Sequence, residues 1–153
     1  YSFVYMPSTH VSLHLHVIFS TRKREPWFEK PFQPKLHKYL AGIISGLGAH
    51  PRQVGGTADH VHLLFDPKTV HSLSYLVQEI KKGSSGWVRS ELNRTAFQWQ
   101  EGYGAFTVSP HQIPTVAAYI RNQEEHHRQK TFQEEYVEFL EKAGVEFKPE
   151  YLW

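Results

Sequence analysis

From Val11 to Ser20 the sequence VSLHLHVIFS alternates with a period of two, and ADHVHLLF, residues 58–65, repeats the habit. That period belongs to β-strands, in which alternate side chains leave the same face of a sheet. The rest of the chain must therefore supply whatever covers two such strands. In the second run His60 and His62 share one face. A strand built for burial that carries two imidazoles together either grips a cation or lies at a wet sheet edge, and the run itself leaves both open.

The intervening segments fix the order of elements. Pro31 and Pro34 open a helix in which Leu36, Tyr39, Leu40, Ile43, Ile44 and Leu47 follow the helical period, and Gly46 and Gly48 close it. Arg52 to Thr57 and His60 to Asp66 read as short strands joined by a tight turn. A second helix follows Ser72, with Leu73, Leu76, Val77, Ile80, Ser84, Trp87 and Val88 on one stripe, and Gly104 to Ser109 is a fourth strand. A third helix begins after Pro110 and runs through Arg128. Thr131-Phe132-Gln133-Glu134 fits the capping box of a fourth, with Phe132, Tyr136, Phe139 and Leu140 inward and Gly144 as its stop. Strand, helix, strand, strand, helix, strand is the order of an α+β, ferredoxin-like split βαβ arrangement: an antiparallel sheet with helices on one face, here followed by C-terminal helices. Its second face is left for a partner or a ligand.

Composition narrows the chemistry. The 153 residues include no cysteine, so any metal must be held by His, carboxylate, amide or water. A formal charge of +2 with 11 histidines uncounted is compatible with a nucleic-acid partner without requiring one. No apolar run approaches the ~18 residues that span a bilayer, and no signal segment opens the chain, so no membrane partner and a cytoplasmic location are expected.

On the third helix Ile113, Val116, Ala117 and Ile120 form the apolar stripe, and Tyr119 lies on its flank. Gln123 follows four residues on and stacks over Tyr119, with His126 continuing the row. A tyrosine there covers a hydrophobic edge as readily as it does chemistry. Together with two imidazoles, however, the amide oxygen of Gln123 would complete a ligand set for a divalent cation, and the phenol would stand beside whatever that cation polarises. These groups suit attack of a tyrosine oxygen on a phosphodiester, which conserves the bond in a phosphotyrosine for later rejoining.

His60-Val61-His62 resembles the His-hydrophobic-His motif of the HUH endonucleases, and Tyr119-Ile120-Arg121-Asn122-Gln123 resembles the Tyr-x-x-x-Gln of their single-tyrosine transposases. These comprise the insertion-sequence-200-like and REP-associated tyrosine transposases. The similarity extends from about Met6 to Trp153, through residues 16–21, 55–62 and 99–106, as one domain over 6–153 preceded by non-native or upstream residues 1–5. The resemblance implies that His60, His62 and Gln123 bind Mg²⁺ or Mn²⁺, of which Mn²⁺ suits imidazoles better. It implies that Tyr119 cuts single-stranded DNA beside a hairpin, leaving a 5′-phosphotyrosine and a free 3′-OH. It further implies a homodimer in many members, in which the tyrosine helix completes the His pair of the other subunit, and a monomer in others; when DNA-bound the protein would be nucleoid-associated.

For DNA contacts, Lys81, Ser85 and Arg89 form an i, i+4, i+8 row able to track phosphates, with Lys82 beside it and Arg22, Lys23 and Arg24 after the first strand. Exposed Trp27 or Tyr103 could stack on bases, although Tyr103 fits the core better. His16 is expected to support the His pair or to face DNA, Asp59 to support the pair, and His126-His127 to cap the end of the tyrosine helix. Two other readings share these residues: a nicking enzyme of replication or conjugation, and a domesticated hairpin-binding protein that no longer cuts. A histidine-triad nucleotide hydrolase is excluded, because the third alternate position is Leu64.

Overall fold

The computed structural model describes residues 8–152, so residues 1–5, read above as non-native or upstream, lie outside the described part. The elements are β1 (Leu15–Ser20), α1 (Gln33–Gly46), β2 (His50–Gly56), β3 (His60–Asp66), α2 (Leu73–Leu92), β4 (Gly104–Thr107), α3 (Ile113–Arg121), α4 (Gln123–His127) and α5 (Phe132–Lys142). The sheet order is β2-β3-β1-β4 with every neighbour antiparallel, which is the split βαβ arrangement. β1 begins at Leu15, four residues later than its alternation suggests. Its two neighbours end at Phe65–Asp66 and Thr107, so Val11 and Leu13 have no strand to pair with and stand 56% and 42% exposed.

The period of two sorts the sheet into two faces. Val17, Phe19, Val61, Leu63 and Phe65 point to one, where they pack against Leu36, Leu40 and Ile44 of α1 and Leu76, Val77, Ile80 and Val88 of α2. Each fully buried Leu, Ile, Val or Phe contributes roughly 1.5–3 kcal/mol by area removed from water. Ser72 caps α2 as expected, accepting from the Tyr75 amide at 3.3 Å.

The opposite face is covered by the chain's own C-terminal helices rather than left open. Leu64 and Val108 pack there against Ile120, flanked by Ile113, Val116 and Ala117 of α3. The Phe139 ring of α5 lies 5.3 Å from that of Phe106 on β4. Thr131 caps α5 by accepting from the Glu134 amide, and Gly144 ends the segment at φ +69°.

The helix expected from Pro110 to Arg128 is broken. Asn122, at φ −103° and ψ 30°, separates α3 from the short α4. No proline or glycine causes the break. At this point the chain runs against β2, and a Cβ on Gly55 would lie 2.3 Å from the Ile120 carbonyl oxygen. The break turns Gln123 inward to 1% exposure instead of stacking it outward over Tyr119.

Candidate active site

β3 delivers the His pair to the face that the C-terminal helices cover. His62 lies opposite Ile18 and His60 opposite Ser20, so His16 is the diagonal neighbour of His62 on the same face. Both rings of the pair are 1% exposed, so the wet sheet edge is not what the structure shows. The Nδ1 of His60 is held by Asp59 Oδ1 at 2.8 Å, with Thr57 Oγ1 at 3.1 Å. This partner places the ring proton on Nδ1 and leaves the Nε2 lone pair facing Gln123 Oε1 at 3.1 Å. The Nδ1 of His62 meets His16 Nε2 at 2.8 Å. With His62 donating in that bond, its own Nε2 carries a lone pair, and that buried atom has no hydrogen-bond partner.

Burial first, then the neighbouring His16, His60 and His127 rings, hold His62 well below its ordinary pKa. Burial lowers His16 to about 4, and burial with the adjacent His60 lowers His127 to about 4. These rings are therefore neutral at neutral pH, the form that coordinates a metal. Burial opposes the charge on Asp59, yet the hydrogen bond from His60 and the nearby Arg24 hold it below the usual carboxylate range.

Among the described residues, no group of three or more His, Cys, Asp or Glu side chains is placed to hold a metal ion. A cation here would depend on the Gln123 amide oxygen in addition to the two imidazoles. The donor set fits: two imidazoles with Nδ1 engaged, one orphaned buried Nε2, and an amide oxygen.

Tyr119 comes from α3 of the same chain. Its ring meets those of His62 and His16 edge-on, at 5.7 and 6.3 Å between centroids, and His126 packs on it at 4.7 Å. Its hydroxyl donates to Glu135 Oε1 on α5. Gln123 Nε2 in turn donates to the Tyr119 carbonyl at 3.3 Å.

The place of two residues in this cluster was not legible in the sequence. His127 does bind a carbonyl at its helix end, Lys130 O, through Nδ1, as a cap would. Its Nε2, however, lies 3.1 Å from His60 Nε2 and 2.9 Å from Gln123 Oε1. Glu135 carried a signal that was available: a carboxylate on the same stripe as Phe132 and Phe139 of an amphipathic helix.

Gly55 is what lets the tyrosine helix approach. Gly55→Ala must push the Ile120 backbone away from β2, so about 3 kcal/mol of stability should be lost, with the yield of any Tyr119 chemistry falling alongside. Urea unfolding measures the first, and a midpoint unchanged from wild type would refute the close approach.

The expected phosphate row is only partly free. Lys81 Nζ donates to the carbonyls of Gln100 and Gly102 at 2.8 and 2.6 Å, and Arg89 Nε to that of Phe97 at 2.9 Å, so both ends of the row close the 97–102 segment onto α2. Burial lowers the Lys81 pKa to about 8. Ser85 is half-buried, and Arg24 reaches Asp59 Oδ2 at 3.4 Å. Arg22, Lys23 and Lys82 are exposed. Trp27 packs edge-on against Phe97, whereas Tyr103, expected in the core, is 37% exposed. Lys81→Ala should therefore lower stability by about 1.5–3 kcal/mol and leave the salt dependence of DNA binding unchanged. Lys82→Ala should instead flatten that dependence by about one phosphate contact at constant stability. Salt titrations of the two variants decide, and a reduced slope for Lys81→Ala alone would return it to the phosphate row.

The family model "Transposase IS200 like" matches residues 9–123. A crystal structure from Deinococcus radiodurans, of a protein named as a candidate transposase, is similar over 78% of this chain and 98% of its own at 23% identity and a TM-score of 0.61. A REP-associated tyrosine transposase bound to a REP hairpin is similar over 75% of this chain and 70% of its own, at 13% identity and a TM-score of 0.52. At those identities the likeness speaks for the fold. No curated protein matches the chain in sequence. With the family model spanning most of the chain, including His60, His62, Tyr119 and Gln123, the chain belongs to the IS200-like transposase family.

Proposed function

We propose that this transposase cleaves and rejoins single-stranded DNA next to a hairpin, through a 5′-phosphotyrosine on Tyr119, with Mg²⁺ or Mn²⁺ held by His60, His62 and Gln123. The observation that carries the reading is the convergence of Tyr119, the His pair and Gln123 on one face of one sheet within one chain. The cation would supply a Lewis acid for the phosphodiester oxygen. Asp59 Oδ1 engages Nδ1 of His60 and His16 Nε2 engages Nδ1 of His62, so Nε2 is the nitrogen each ring would offer a cation. Glu135 holds the Tyr119 hydroxyl in one direction. Phe132 stacks on His60 at 4.0 Å between ring centroids, and Phe139 packs 5.8 Å from Tyr119, so aromatic rings hold both reacting side chains in place. The packing of α3 on its own sheet supports a tyrosine that serves its own His pair, even within a homodimer. The hairpin in the REP-associated relative supports hairpin DNA as the partner class. Among the described residues no helix is long and apolar enough to cross a membrane, and a cytoplasmic, nucleoid-associated protein fits action on DNA.

The test is the polarity of the cut. Single-stranded DNA carrying a hairpin, incubated with Mn²⁺, should yield one fragment that a polymerase extends from its 3′-OH and another whose 5′ end resists phosphatase and kinase. Free 5′-phosphates released from the start of the reaction would mean hydrolysis and would sink the proposal.

A further inference from the structure

We infer that Glu135 is a catalytic residue: its carboxylate takes the proton from the Tyr119 hydroxyl as that oxygen attacks the DNA phosphorus, and returns it when the strand is rejoined. The inference rests on the function proposed above and goes beyond it, because the hydrogen bond of the Tyr119 hydroxyl runs to Glu135 rather than to the His pair or Gln123.

Tyrosine ionises near ~10 in water, so at neutral pH its oxygen needs an acceptor within hydrogen-bond reach. The structure provides one, since Tyr119 donates directly to Glu135 Oε1. The placement is otherwise costly. Glu135 lies on the inward side of α5 at 7% exposure, where an apolar side chain would pack without losing hydration. Among the described residues no lysine or arginine forms an ion pair with it. His127 Nε2 stands 3.2 Å from Oε2 without the alignment of a hydrogen bond. The other charged or titratable groups around it are His126 of α4, Lys130 before α5, and Glu138 and Lys142 on α5. Lys130 is already bound to Glu138 at 2.6 Å.

Burial, then the neighbouring Glu138, raise the Glu135 pKa to about 7. A carboxylate of that basicity is better matched to a phenol than one of ordinary acidity, and it still ionises at neutral pH. The carboxylate and the phenol also share a wall of a cleft of about 370 Å³, which gives a phosphodiester a way to the reacting oxygen.

The proton and electron bookkeeping closes. In cleavage the Tyr119 O–P bond forms, the P–O3′ bond breaks with its electron pair going to the 3′ oxygen, and that oxygen takes a proton from solvent. The phenolic proton passes to Glu135. In rejoining, a 3′-OH loses its proton to solvent and attacks phosphorus, the Tyr119 O–P bond breaks, and Glu135 protonates the leaving phenolate.

The experiment follows single-turnover formation of the protein–DNA adduct at saturating hairpin DNA and Mn²⁺. Glu135→Gln keeps the shape and a hydrogen-bonding oxygen, and should slow adduct formation about 100-fold with hairpin affinity unchanged. Glu135→Asp should recover part of that loss. Glu135→Ala should be as slow as Glu135→Gln, and added formate, which fits the space left beside the cleft, should accelerate Glu135→Ala at least about tenfold without affecting Glu135→Gln. A residue that only braces α5 would show no such rescue. Adduct formation by Glu135→Gln at the wild-type rate, or folded, DNA-binding Glu135→Ala that formate does not accelerate, would overturn the inference while leaving the proposed function standing. Wild-type protein that forms no adduct, or Tyr119→Phe that still does, would remove the proposed function itself.

Discussion

Tyr119→Phe protein will bind hairpin DNA with wild-type affinity and yield no covalent product. The substitution deletes one oxygen. The remaining ring keeps its edge-on contacts with His62 and His16 and its packing against Phe139, so α3 stays where it is. What is lost is the nucleophile and the hydrogen bond to Glu135. Losing one partner of that bond should cost about 1–3 kcal/mol, moderated because a carboxyl raised to about 7 readily takes a proton when its donor goes. Chemistry should fall by at least about 10³-fold, since a nucleophile acts as part of a unit. Mixing Tyr119→Phe with His60→Ala protein adds a sharper arm. If each chain's tyrosine serves its own His pair, as the packing of α3 on β2 at Gly55 supports, the mixture stays inactive. Recovered cleavage would show a tyrosine working across a dimer.

His60→Ala should lose cleavage to a comparable extent, and it should also lose stability. A wet ligand site would tolerate the change, but this ring is buried, stacked on Phe132, and bonded through Nδ1 to Asp59. Removing it opens a cavity and strips Asp59 of one of its partners, at a cost of roughly 2–4 kcal/mol. The functional comparison therefore belongs at a temperature where thermal unfolding shows the variant still native. Mn²⁺ binding followed by calorimetry gives a readout independent of turnover, and the affinity should drop by at least about 10-fold when one of three protein ligands is removed. Cleavage that survives in the native variant, or in wild type with excess chelator, would eliminate the metal.

The alternation of residues 11–20 and 58–65 made the sheet legible, and the element order gave its topology, because both depend on local patterns. His16 was readable as a neighbour of the His pair for the same reason: strand order puts β1 beside β3. The break at Asn122 was not. Residues 113–127 continue a helical pattern with no breaker, and the helix stops where it meets β2 at Gly55, a tertiary effect. That miss hid His127, whose place follows only from the kink. Lys81 and Arg89 read as a solvated charge row because their partners are main-chain carbonyls of an irregular segment, which no side-chain pattern announces. Glu135 was visible as a carboxylate among aromatics, but its meaning needed Tyr119 to arrive from another helix.

The most direct measurement is the identity of the residue that carries DNA. Wild-type protein trapped with a hairpin-bearing single strand and Mn²⁺, denatured, digested and sequenced by mass spectrometry, should yield one modified peptide, with a nucleotide 5′-phosphate ester on Tyr119. A nucleotide attached to any other side chain, or the same ester formed equally well without a divalent cation, would contradict the account.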